Sequence, residues 1–232
     1  LKEITFNKTE NVQIQTRAFK GCKLLEKINF SEKTVEIGGA AFADCISLVN
    51  INLPESIEEI GSSAFSGCAS LEEIVLPNKI TRIAEYTFDG CSSLKKIICP
   101  ETIFEIGERA FWNCSNLKEI KIPSSLTNIG EEAFENCSSL NQLNILDMVK
   151  YIGNNAFKDC NNLQIHYSNT VEEWEKITVE SAATVIYCSN GSIGTKYVDE
   201  TTGAVITYSE YGDKIAITNC SKDVTGKLII PE

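Results

Sequence analysis

Phenylalanine recurs at Phe19, Phe42, Phe65, Phe88, Phe111, Phe134 and Phe157, each 23 residues after the last. Cysteine keeps the same step three places on, from Cys22 to Cys160, and leucine follows from Leu25 to Leu163. A unit of this length cannot bury its own apolar face. It must stack on a copy of itself, and seven units without an insertion imply seven coils in register. The period therefore predicts a repeat solenoid.

Within a unit, the stretch around Ile74 and Leu76 alternates apolar and polar residues and reads as a short strand. Parallel strands about 4.8 Å apart would stack identical side chains. One strand per unit is expected. Pro54, Pro77, Pro100 and Pro123 end it, because proline cannot donate to the ladder. Ile57, Ile60 and their counterparts are expected on the opposite wall. Gly38, Gly61, Gly107, Gly130 and Gly153 are expected to turn the chain, with Ala84 the exception. The residue before each motif cysteine is Gly21, Asp44, Gly67, Gly90, Asn113, Asn136 or Asp159, which suits a left-handed turn.

The ten cysteines do not read as a disulfide scaffold. Equivalent side chains on stacked coils point the same way, about 5 Å apart. A disulfide needs Cβ atoms about 3.8 Å apart on converging vectors. The motif cysteines are therefore expected to be buried free thiols, each a small hydrophobe. Cys99 takes the slot of Leu53, Leu76 and Ile122 and belongs to the same core. Cys188 and Cys220 lie outside the array and are the two that could pair. No metal site is expected, since no C-x-x-C occurs and the chain has a single histidine.

The phrase AF-x-x-C-x-x-L-x-x-I-x-[LI]-P-x-x-[IV]-x-x-IG resembles the BspA-like leucine-rich repeat family, and the match covers residues 1 to 165. The resemblance implies a leucine-rich repeat β-solenoid of seven 23-residue units with parallel strands. It also implies a surface or secreted protein of anaerobic bacteria or mucosal protists. Its implied partners are host extracellular-matrix proteins such as fibronectin and fibrinogen, cell-surface proteins, or other cells. The family offers no catalytic motif to carry over, so no enzyme activity and no cofactor are expected.

At the ends the pattern shifts. "LKEITF" at 1–6 is the strand of a unit set one residue out of step. The strand's isoleucine slot holds Leu143 and, one period on, His166, so the register breaks after Leu163. Thr170 followed by Glu173 makes a capping box, and Val171, Trp174 and Ile177 share a helical face. The expected organisation is an array over 1–165, a capping segment with a short helix over 166–182, and a small β-rich linker over 183–232. That linker closes on "GKLIIPE", the strand and proline of a further repeat. A piece of a longer modular protein is expected.

The net charge of −11, with scattered basic residues, disfavours nucleic acid. No run of about 18 apolar residues is present, so no membrane span is expected in this fragment. In a solenoid the repeated positions are buried, and binding falls to the variable ones. On the strand these include Glu73 and Lys96, and beside them Val75, Ile98 and Lys121. Val75 and Ile98 are apolar where other coils carry Asn or Lys; contact with a partner and plain strand propensity both account for that. Trp112 stands in a slot otherwise held by Lys20, Ala43, Ser66, Asp89, Glu135 and Lys158. Phe104 replaces Glu58, Thr81 and Thr127. Both are candidate anchors, and the competing reading folds Trp112 over a neighbour's aliphatic stem or sets it against a flanking domain. Glu85, Glu108 and Glu131 form a column of like charge, read as a solvated face with Arg82 and Arg109 beside it rather than as a cation site. The function expected is an extracellular protein-binding or adhesion module. The alternative is a passive spacer in a larger cell-surface protein.

Overall fold

The computed structural model describes residues 1–7, 10–174, 176–179, 186–188, 191–198, 205–211 and 214–220. It forms a parallel β-solenoid of stacked coils. Two strands alternate along the chain, where one per unit was expected. The strands of the first face are β1 (Glu3–Thr5), β3 (Lys27–Asn29), β5 (Asn50–Ile51), β7 (Glu73–Val75), β9 (Lys96–Ile98), β11 (Glu119–Ile120), β13 (Gln142–Ile145), β15 (Gln164–Tyr167) and β17 (Ile186–Cys188). The strands of the second wall are β2 (Val12–Ile14), β4 (Thr34–Ile37), β6 (Glu59–Ile60), β8 (Arg82–Ile83), β10 (Glu105–Ile106), β12 (Asn128–Ile129), β14 (Tyr151–Ile152) and β16 (Thr178–Val179). The wall strands are mostly two residues long, too short for alternation to mark them in the sequence.

Register follows the period. Ile74 pairs with Ile97, and Ile97 with Ile120. The first step is one residue longer, Ile4 on Ile28, as "LKEITF" implies. After Leu163 the step shortens: Leu143 pairs with Ile165, and Ile165 with Ile186. Parallel stacking thus continues past the register shift, with Ile165 rather than His166 in the isoleucine slot. From β17 the sheet turns antiparallel through β18 (Gly191–Val198), β19 (Val205–Tyr211) and β20 (Lys214–Cys220). Cys188 and Cys220 lie on strands separated by β18 and β19. The closing repeat read at "GKLIIPE" lies outside the described residues.

A third side of each coil is a turn with its own backbone ladder. Phe42 N–H donates to Ala64 O at 2.8 Å, and Phe111 N–H to Ala133 O at 2.8 Å. Two positive-φ residues per unit make this possible. One precedes the motif cysteine, as expected: Gly21, Asp44, Gly67, Gly90, Asn113, Asn136 and Asp159. The other was not foreseen and holds no glycine: Arg17, Ala40, Ser63, Tyr86, Arg109, Glu132 and Asn155. Its left-handed backbone aims an N–H at the next coil, as from Arg109 to Glu131 O at 2.9 Å. That bond offsets a conformational cost most of these residue types do not otherwise accept.

The repeated glycines stand between the wall strand and the turn, and they do more than turn the chain. Gly38, Gly61, Gly107, Gly130 and Gly153 do not have positive φ. A Cβ at any of them would lie 2.5–2.8 Å from the backbone of the preceding coil. They permit close approach, and each N–H donates to a wall isoleucine carbonyl, such as Gly107 to Ile83 O at 2.8 Å.

The interior is a set of columns. The seven phenylalanines stack with centroids 5.1–5.8 Å apart and planes within 15°. Beside them the thiols of Cys45, Cys68, Cys91, Cys114, Cys137 and Cys160 each donate to a phenylalanine carbonyl of the preceding unit, at 3.0–3.3 Å. The motif cysteines are free and, Cys22 apart, buried, but they do more than fill space. Burial pushes the Cys45 thiol up to about 11 and Cys99 to about 12, which keeps both protonated and unreactive. At the far end α1 (Val171–Trp174) begins where Thr170 Oγ1 accepts from Glu173 N–H at 3.4 Å. Trp174 is buried against Tyr167 edge to face, with centroids 5.2 Å apart.

Candidate functional site

Side chains pointing inward on the first face belong to the columns, so only alternate positions reach solvent. Val75 and Ile98 are direct partners in the β7–β9 ladder, 52% and 46% exposed, which places two apolar side chains together on the open face. Glu73 pairs in register with Lys96, and Lys96 with Glu119, giving alternating charge along the row beside them. Lys95 and Glu72 add an exposed ion pair at 2.9 Å. Lys121 lies one coil beyond Ile98, but its ammonium reaches back to Glu101 at 2.9 Å. Lys121 and then the Ser124 N–H and hydroxyl hold the Glu101 carboxyl down at about 2. The structure thus gathers Glu73, Val75, Lys96 and Ile98 into one patch with Lys121 at its border.

Trp112 and Phe104 lie elsewhere. Trp112 is on the turn side and half-buried. The Arg109 guanidinium carbon stands 5.7 Å from the Trp112 ring centroid and 5.8 Å from that of Tyr86. Arg109 also pairs with Glu132, and Tyr86 donates its hydroxyl hydrogen to Glu108. The tryptophan therefore packs on the guanidinium of Arg109 from its own turn, rather than over an aliphatic stem. Tyr86, Arg109 and Glu132 occupy one slot on successive coils. The 23-residue period placed them in a column, and that signal could have revealed the cluster. Phe104, 46% exposed, lies on the wall just before β10. The two aromatics and the Val75–Ile98 pair thus occupy different sides of the coil.

Two of the three glutamates in the column have local partners. Ser62 donates to Glu85 at 2.6 Å and lowers its pKa, and Glu108 takes the Tyr86 hydroxyl. Among the described residues no group of three His, Cys, Asp or Glu side chains is placed to hold a metal ion. No helix among them is long and apolar enough to cross a membrane.

Coils of two short strands and a phenylalanine–cysteine turn define a leucine-rich repeat solenoid. The model of the BspA type leucine rich repeat region matches residues 1–84 and 58–184 in six copies, and the chain belongs to that family. A leucine-rich repeat protein of T. pallidum is 37% identical over 50% of this chain and 54% of its own, with a TM-score of 0.47. A leucine rich cell surface protein from Faecalibacterium prausnitzii is 23% identical over 78% of this chain and 64% of its own, with a TM-score of 0.45. A leucine-rich repeat protein from Bacteroides ovatus is 24% identical over 72% and 69%, with a TM-score of 0.49. The chain spans about half to two thirds of the first two proteins' lengths. No curated protein matches it. At these TM-scores the fold assignment rests on the family match and the coil geometry.

Proposed function

We propose that the chain is a protein-binding module of a surface or secreted bacterial protein, and that it engages its partner through the first face around Val75 and Ile98. The observation that carries this reading is the exposure of two adjacent apolar side chains where the equivalent positions carry Asn52, Lys121 or Asn144. A small apolar centre rimmed by Glu73, Lys96 and Lys121 has the anatomy of a modest protein contact. Membership of the BspA type family supports an extracellular setting and host matrix proteins or other cells as partners. The lateral cluster at Trp112 serves less well, because Arg109 already covers its ring.

The test is capture by the immobilised chain of fibronectin, fibrinogen, mucin or whole cells, measured beside a variant with Val75→Asn and Ile98→Asn. Capture by the parent chain and at least a thirtyfold weaker variant are expected. No capture of any of these would leave the passive spacer as the better reading. Equal capture by a folded variant would move the site off this face.

A further inference from the structure

Most coils are tied to the next along three sides, and at one junction the wall is missing. Between the coil of residues 50–72 and that of residues 73–95 the wall strands β6 and β8 do not pair, and the wall divides into β2–β4–β6 and β8 to β16. Elsewhere along the wall two backbone bonds recur. Glu58 N–H donates to Val35 O and Gly61 to Ile37 O; Phe104 N–H donates to Thr81 O and Gly107 to Ile83 O. Among the described residues, the corresponding bonds from Thr81 to Glu58 O and from Ala84 to Ile60 O are missing.

A methyl group stands at this junction. Ala84 holds the slot that is glycine at 38, 61, 107, 130 and 153. A Cβ at Gly61 would lie 2.6 Å from Gly39 N, and one at Gly107 2.8 Å from Glu85 N. At the regular spacing the Ala84 methyl would meet Ser62 in the same way, and here the wall is parted. A second departure sits three residues on. Thr87 replaces the alanine that precedes every other motif phenylalanine, and its hydroxyl donates to Ala84 O at 2.7 Å. The opened wall leaves a cleft lined by Glu58, Glu59, Ile60, Ile80, Thr81 and Arg82.

The first face is also thinner at this junction, while the turn side and the phenylalanine column run through it. On the first face β5 and β7 share a single residue pair, Asn50 with Glu73, whereas β7 and β9 share three. The sheet of the first face is also interrupted between β11 and β13, but there the wall strands β12 and β14 remain paired. At the Ala84 junction the turn ladder stays whole: Ser63 donates to Glu85 O, Phe65 to Thr87 O and Gly67 to Asp89 O, at 2.7–3.0 Å. Exposed side chains cross the gap, with Lys79 on Glu58 at 2.6 Å and Asn78 on Glu55 at 3.0 Å. Exposed pairs of this kind contribute little.

We infer that this junction divides the array into two cooperative units, so that the coils before residue 73 unfold separately from those after it. In a solenoid, stability is a sum of unit and junction terms, so the weakest junction sets where cooperativity divides.

Native-state hydrogen exchange on the full chain, residue by residue in low urea, tests this. Amides at Gly38 and Gly61 are expected to report an opening with a smaller urea dependence than those at Gly107, Gly130 and Gly153. In Ala84→Gly the amide at position 84 is expected to slow at least tenfold, and the two sets to converge on one urea dependence. A common urea dependence in the parent chain overturns the inference without any variant. Two sets that stay distinct in a folded Ala84→Gly chain, with no slowing at position 84, overturn the part assigned to the methyl group.

Discussion

Thr34 fills the slot that Ile57, Ile80, Ile103, Leu126 and Val149 fill in later coils, and its hydroxyl is buried without a hydrogen-bond partner among the described residues. Desolvating that group costs free energy that no bond returns. Thr34→Val keeps the shape and removes the oxygen, so a gain of about 1–2 kcal/mol is expected in urea unfolding. Cys91 presents the opposite case. Its thiol donates to Phe65 O at 3.2 Å, so a serine there would find an acceptor already in place. Cys91→Ser is expected to cost about 1 kcal/mol. Cys91→Val forfeits the donor and adds a methyl to a packed column, for about 1–3 kcal/mol. Equal costs for the two would rule out a role for the thiol bond. At the surface, the Glu101 carboxyl is depressed, so its contribution to stability is complete above the ordinary value of 4.5 and is lost as pH falls towards 2. Lys121→Ala should move the Glu101 titration, followed by carboxyl NMR shifts, back up towards that value.

The elements are too short to stand alone. A two-residue strand such as β12 has no stability of its own and exists because β10 and β14 flank it. The wall glycines decide whether that flanking is possible. A Cβ at Gly130 would lie 2.6 Å from the backbone of Glu108 and Gly107. Gly130→Ala is therefore expected to part β12 from β10. A destabilisation of about 1–3 kcal/mol should appear in thermal unfolding, with faster exchange of the position 130 amide. The phenylalanine column is the other tie between elements. Phe111 is fully buried between Phe88 and Phe134, with centroids 5.5 and 5.1 Å away, and Phe111→Ala should cost about 3–5 kcal/mol.

For the whole molecule the sides of the coil have separable consequences. Val75 and Ile98 lie on the first face, and Trp112 on the turn side under Arg109. Trp112→Ser should leave binding to any captured partner unchanged, while the doubly substituted Val75→Asn, Ile98→Asn chain should lose at least thirtyfold in affinity. The reverse outcome, read by surface plasmon resonance with both variants folded by circular dichroism, would transfer the site to the turn side. The long stack also makes the molecule modular, since each coil touches only its neighbours.

How much was legible follows from what a repeat can encode. The spacing of Phe19 through Phe157 was enough to predict the solenoid, the parallel stacking, the buried thiols and the left-handed residue before each cysteine. Those features depend only on a residue's place in its own unit, and seven copies state it seven times. The early strand at Glu3–Thr5, one residue out of step, was legible for the same reason. What lies between coils was not. The second wall, the thiol bonds to phenylalanine carbonyls, the positive φ at Tyr86 and Arg109, and the close approach at Gly107 all involve an atom of the neighbouring coil. Ala84 looked like one exception in a column of glycines until the stacked backbones showed what its methyl would meet. Trp112 looked exposed until Arg109, from the same turn, was seen between it and Tyr86. The period determined which side chains face inward, because a coil has one inside. Only the tertiary structure decided which outward side chains remain free, because that depends on the partners each finds along its own turn and on neighbouring coils.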